Sequence, residues 1–190
     1  ARDEGERPVV RVGVLVDAPA FVAGVDGADT TRLAILDRIQ DETVTLTRRE
    51  FDVRFPDDKR MYGNYTVEGI RDAYDALTAD PEVDVVLTLG PFGTGEAMRR
   101  RAFAKPVIAS FVIDVAVQTV PQDGDASGVP NLNYVTFPLS LRDQVARFRE
   151  LVGFDRIHFV TREHSPRPCM AFLAFLREDG EEAATEETGA

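Results

Sequence analysis

Apolar residues fall along this chain in short runs that alternate with wider, periodic stretches. Val9 to Val16 is a valine-rich run with Gly13 inside it, ending at Asp17-Ala18-Pro19-Ala20. A continuous apolar run of this length reads as a strand buried on both faces, as in a parallel sheet. A loop, Gly24 to Asp29, follows. Leu33, Leu36, Ile39 and Leu46 then recur near helical spacing, with Asp29 or Thr30 placed to cap the helix. Phe51 to Phe55 alternates and stops at Pro56, giving a second strand. Val67, Ile70, Tyr74 and Leu77 mark a second helix, ended by Asp80-Pro81.

Val83 to Leu89 is the most apolar strand, broken by the loop Gly90-Pro91-Phe92-Gly93-Thr94-Gly95. A short helix through Ala97, Met98 and Phe103 leads to a fourth strand, Pro106 to Ile113. The polar stretch from Pro121 to Pro130 is a loop, and Leu132 to Phe137 a fifth strand. Leu141, Val145, Phe148, Leu151 and Val152 form an amphipathic stripe, and Gly153 stands where that helix stops. Phe154 to Thr161 reads as a sixth strand, and Cys169, Phe172, Leu173 and Leu176 as one more helix.

Strands and helices alternating at these lengths specify an α/β fold: a doubly wound three-layer sandwich on a parallel sheet of order 2-1-3-4-5, Rossmann-like or flavodoxin-like. Residues 9–153 make one lobe. Residues 154–177 begin a second lobe or pack on the first, while 1–8 and the acidic tail 178–190 are expected to be disordered. In such sheets ligands bind beyond the carboxyl ends of the strands, where strand order reverses. The loops after Val16 and Leu89 are therefore the first places to look.

Charge narrows the partners. The net charge is −11, and six of the acids lie in the last thirteen residues. Nucleic acid needs a basic face, and the single basic run, Arg99-Arg100-Arg101, reads as a solvated helix face. No apolar run is long enough to span a membrane. Cys169 is alone, so no internal disulfide forms. No signal core is visible after Ala1, which a leader removed before that point would explain.

The chemistry is mostly marked by what is missing. Gly90 to Gly95 has phosphate-loop spacing, but Glu96 and Ala97 stand where lysine and a hydroxyl are required, which argues against nucleoside triphosphates. The turn after Val16 lacks dinucleotide-binding glycines, and Pro19 removes an amide. Thr88, Leu89 and Gly90 hold no aspartate of a phosphorylatable receiver. Asp17 and Asp114 both end strands; capping or facing water is the expected role, with a carboxylate pair for acid–base work as the alternative. His158, His164 and Cys169 have no zinc spacing. No serine sits in a nucleophile elbow, and Ser110 reads as a core hydroxyl. Tyr62 and Tyr65, around Gly63-Asn64, read as a surface turn or as cleft walls. No cofactor is expected, and no catalytic or metal site.

Three segments carry a family resemblance: Val9-Val-Arg-Val-Gly-Val-Leu-Val-Asp17, Val83-Asp-Val-Val-Leu-Thr-Leu-Gly-Pro91, and Lys105-Pro-Val-Ile-Ala-Ser-Phe-Val-Ile-Asp114. Together with Asn131 to Pro138 and Phe154 to Val160, they resemble type 1 periplasmic binding proteins, the substrate-binding subunits of ABC uptake systems, over residues 9 to 165. A narrower resemblance lies in Glu50 to Lys59, Leu89-Gly-Pro91 and Gly128 to Tyr134. This looks like the domain found ahead of, or encoded beside, TolC-type outer-membrane efflux proteins. The first resemblance implies a non-catalytic binding domain, in the periplasm or cell envelope, that holds a small ligand. Its cleft loops would supply Asp17, Pro19, Gly90, Pro91, Phe92, Phe111 and Asp114. The implied partners are an ABC permease or an outer-membrane efflux protein, and a second copy through the exposed lobe face. Family members have two lobes, so this chain looks like a fragment or a shortened member.

Overall fold

The structure is a computed structural model that describes residues 7–18, 31–100, 102–116 and 118–156. Its centre is β1 (Val9–Val16), the strand expected from the valine run. After it come α1 (Thr31–Thr47), β2 (Asp52–Arg54), a 3₁₀ turn at Asp57–Lys59 and β3 (Arg60–Tyr62). Then follow α2 (Val67–Ala79), β4 (Val85–Leu89), α3 (Pro91–Arg99), β5 (Val107–Val112), β6 (Leu132–Thr136) and α4 (Leu141–Val152).

All strand pairs of the six-stranded sheet are parallel, in the order β2-β1-β4-β5-β6, with β3 also on β1. The α/β parallel fold is as expected, but the strand order differs from the five-strand 2-1-3-4-5. The expected second strand, Phe51 to Phe55, holds β2, and beyond its Pro56 stop lies an unexpected further strand, β3. Val9 to Arg11 pair with Asp52 to Arg54, and Val14 to Val16 pair with Arg60 to Tyr62. The Pro8 and Val16 carbonyls accept from Asp52 and Gly63, whereas that of Arg11 accepts from Asp84. Successive backbone carbonyls of a strand point to opposite edges, and Pro8 and Val16 are of one parity and Arg11 of the other, so β2 and β3 share one edge of β1. Pro56 has no N–H for the ladder, and the 3₁₀ turn lifts the chain off the edge between them. Lys59 then ties the turn to Asp80 and Glu82, at 2.9 and 2.8 Å.

Two cores flank the sheet. Leu15, Val86, Val107, Ala109 and Leu132 face Ile70, Tyr74 and Leu77 of α2 and Ala97 and Met98 of α3. Val12, Val14, Val16, Leu87 and Leu89 face Leu36 of α1. Chain direction explains the division. From β1 to β2 the chain moves one way across the sheet, and from β3 to β5 the other, so right-handed crossovers place α1 opposite α2 and α3. Gly13 lets α2 approach, since a Cβ there would lie 2.9 Å from the Leu77 side chain. Order reverses between β1 and β4, as expected of a doubly wound sheet.

Several boundaries moved. Leu46, expected in the α1 stripe, is 80% exposed. Residues 91–95, expected as a loop, are the first turns of α3, which Pro91 can start because its fixed φ suits the first helical position. Residues 154–156 are irregular rather than the start of a strand, and the rest of that expected strand, the helix around Cys169 and the tail lie outside the described residues. So do residues 1–6, and Asp29 and Thr30 as α1 caps.

α4 is capped at both ends, by the Ser140 side chain on the Asp143 N–H and by left-handed Gly153. Its stripe is nevertheless open to solvent, with Phe148 50%, Leu151 84% and Val152 60% exposed. The buried and open stripes give a direct stability contrast. Leu77→Ala should destabilise by about 2–5 kcal/mol through its cavity, and Leu151→Ala should stay within about 0.5 kcal/mol, both read from urea unfolding.

Candidate functional site

At the reversal of strand order the backbone of Asp17 is clamped on both sides. Its N–H donates to the Leu89 carbonyl at 3.3 Å, and its own carbonyl accepts from Tyr65 N–H at 2.9 Å. This fixes the side chain under the start of α3. Oδ2 accepts from Phe92 N–H at 2.9 Å and Oδ1 from Gly93 N–H at 2.8 Å. A helix start leaves unsatisfied amides, and here the first turn's are accounted for. Pro91 has none, Asp17 takes the next two, and Thr94 N–H reaches the Gly90 carbonyl at 3.2 Å. Asp17 is fully buried. Burial pushes its carboxyl up to about 6, against the two amide bonds that pull it down.

Gly90 makes this contact possible. Its φ is 128°, open to glycine and rare for other residues. A Cβ there would fall 2.4 Å from Asp17 Cγ and Oδ2. Two buried hydroxyls then hold α3 between β4 and β5. Thr88 Oγ1 and Thr94 Oγ1 lie 3.2 Å apart. Thr94 Oγ1 accepts from Phe111 N–H at 3.2 Å, and the Ser110 hydroxyl donates to the Thr88 carbonyl at 2.7 Å.

Asp114 ends β5 differently. Its Oδ1 accepts from Ala116 N–H at 3.0 Å, which closes a turn. Gln118 braces that turn, its Oε1 accepting from Ile113 and Asp114 N–H and its Nε2 donating to the Phe111 carbonyl. Asp17 and Asp114 thus each bind amides of the turn they organise. Among the described residues no cluster of three or more metal-ligating side chains exists.

Aromatic side chains occupy the same end of the sheet. Tyr65 follows β3, Phe92 follows β4, Phe111 lies near the end of β5 and Phe137 follows β6. Tyr65 and Phe92 meet edge to face at 5.6 Å, and Phe111 and Phe137 at 5.8 Å. Asn64 and Tyr65 are left-handed, with φ of 53° and 55°, a tight reversal that sets Tyr65 at the rim. Beside it an open groove of ≈ 540 Å³ runs between β3 and α2, lined by Arg60, Met61, Tyr62, Asn64, Asp72 and Ala73.

Of the residues named from sequence, Asp17, Gly90, Pro91 and Phe92 converge at one turn, and Phe111 is tied to that turn through Thr94. Asp114 belongs to the next turn, and Pro19 lies outside the described residues. Sequence reasoning missed Phe137 and Gln118, although an aromatic residue at or just past each of four strand ends was a readable signal. It also misjudged Arg100 in the arginine run. Glu96 is buried and bound by Arg99 and Arg100, with Arg71 at 3.7 Å. Arg100 also lies 4.3 Å over the Tyr74 ring and 2.7 Å from Asp75. Arg100 and Arg71 thus clamp α3 to α2, whereas Arg99 is 55% exposed and pairs within α3; Arg101 is outside the described residues.

Among the described residues no helix is long and apolar enough to cross a membrane. No family model matches the chain, and the comparisons with curated proteins and solved structures returned no match either.

Two outcomes follow for the turn. Gly90→Ala should destabilise by about 3 kcal/mol or more through clash and backbone strain, seen as a collapse of the urea midpoint. For Asp17, a folded value near 6 against an ordinary 3.8 means that the folded state holds the extra proton between those pH values. The contribution of this group to stability therefore falls as pH rises from 4 to 6 and is flat above, by up to about 3 kcal/mol. Asp17→Ala should abolish that component, so the stability gap between parent and variant is wider at pH 4 than at pH 7.

Proposed function

We propose that this chain is a non-catalytic binding module of a bacterial envelope transport system that holds a small ligand at the carboxyl ends of its parallel strands. One observation carries the reading: aromatic side chains stand at the carboxyl ends of four strands in two edge-to-face pairs, Tyr65–Phe92 beside the reversal of strand order and Phe111–Phe137 at the ends of β5 and β6. Open α/β sheets bind ligands at that position, and aromatic walls are common in small-molecule sites. The residues at the turn, Asp17 above all, are committed to amides, which suits a binding surface better than acid–base chemistry. The resemblance to type 1 periplasmic binding proteins supports the same reading, with the periplasm as location and an ABC permease as partner.

A second reading has its own support. The exposed Phe148, Leu151 and Val152 of α4 favour an interaction or assembly domain of a TolC-type efflux complex, with no small ligand. It predicts ligand-independent association with a purified TolC-type channel, lost on Leu151→Asp.

A library of monocyclic small molecules, screened by two-dimensional NMR on labelled protein, separates the two. Ligand binding predicts hits that shift Tyr65, Phe92, Phe111 and Phe137 together. Hits that avoid these residues, or no hits at all, would contradict it.

A further inference from the structure

We infer that the rim selects neutral or cationic planar aromatic ligands and rejects anions, and that Asp17 is the residue that enforces the choice. The inference rests on the ligand-binding reading and narrows it to a chemical class.

The start of a helix after a parallel strand is where α/β proteins usually bind an anion. In this chain that place already holds one. The Asp17 carboxylate takes the Phe92 and Gly93 amides, Pro91 offers none, and Thr94 N–H is bonded to Gly90. An incoming carboxylate or phosphate would find the Phe92 and Gly93 amides already taken and a negative charge beneath them. The neighbouring rim segments offer no counter-charge. Residues 63–66, 90–93, 111–116 and 137–140 contain no lysine or arginine, and Asp114 adds a second carboxylate. An anion moved onto this surface loses water and gains no cationic partner from these turns.

What the rim does present is aromatic. The pairs Tyr65–Phe92 and Phe111–Phe137 are edge to face, with interplanar angles of 85° and 73°. Tyr65 is 41% and Phe137 48% exposed. A planar ring extends such pairs by further edge-to-face or stacked contacts. A positive group on that ring gains attraction to the aromatic faces and to the acidic groups. A saturated ring of the same size keeps the apolar area and loses the geometry.

The test titrates labelled protein with four probes of similar size: benzamide, benzamidine, benzoate and cyclohexanecarboxamide. Benzamide and benzamidine should shift the amides of Phe92, Gly93 and Phe111, and bind at least about tenfold more tightly than benzoate and cyclohexanecarboxamide, roughly 1.4 kcal/mol. Asp17→Ala, where it folds, should free the two amides and raise benzoate affinity about tenfold by the same measure. Tyr65→Asn, which keeps the left-handed backbone, and Phe137→Ala lie at exposed positions and should weaken benzamide severalfold while the fold persists. Benzoate binding the parent as tightly as benzamide would overturn the charge selection and leave the ligand-binding reading standing. Equal binding of cyclohexanecarboxamide, or no loss in both aromatic variants, would overturn the aromatic selection. Failure of every probe to shift the rim would bring down the ligand-binding reading and this inference with it.

Discussion

A single buried carboxylate organises the carboxyl end of this sheet. Asp17 leaves β1 between β3 and β4, and its side chain takes two amides of α3. The contact costs desolvation, which is why its carboxyl is pushed up to about 6. It persists because the alternative is worse: two helix amides with no acceptor in a space that excludes water. Everything nearby follows from it. Position 90 must be glycine, because the carboxylate fills the room of a Cβ. α3 begins one residue after β4, so Thr94 comes to lie against Thr88 and Phe111 and couples β4 to β5.

The same contact defines what the surface above it offers. Many α/β proteins leave their helix starts open to anions; this one supplies the anion from its own chain. The rim that remains is made of aromatic rings and two turns closed by aspartates, with no lysine or arginine in those described turns. That is a surface for weak, apolar and shape-driven recognition. The bare stripe of α4 marks a second apolar surface, on a helix well capped at both ends yet open to solvent. The two surfaces correspond to the two functional readings, one for a small ligand and one for a protein.

Much of the fold was legible because burial on both faces of a parallel sheet forces long apolar runs. Val9–Val16 and the β4 and β5 runs announced themselves in this way. The split of β2 and β3 was not legible: an alternating stretch of five residues ending in proline looks the same whether the chain stops or steps aside and resumes. The run from Gly90 to Gly95 misled for a related reason. Glycine-rich sequence favours loops, but proline at the first helical position and a remote acceptor, 75 residues away for Phe92, tipped it into a helix. No local pattern announces such a long-range cap. Arg100 misled because a run of like charges reads as solvated until a buried partner, Glu96, is known. For the site, the residues at the reversal of strand order were found by topology alone, and the aromatic series was overlooked because each ring, taken singly, looks like a core or turn residue.

The carboxyl end of the sheet therefore depends on the ionised Asp17 side chain lying against the first amides of α3. A pH titration that follows the Asp17 carboxyl carbon and the Phe92 and Gly93 amides in one set of NMR spectra measures this directly. The structure predicts one shared midpoint near 6, with both amides shifting as the carboxyl takes up its proton. A carboxyl midpoint at the ordinary value of 3.8, with the two amides unmoved through it, would contradict the account at its base.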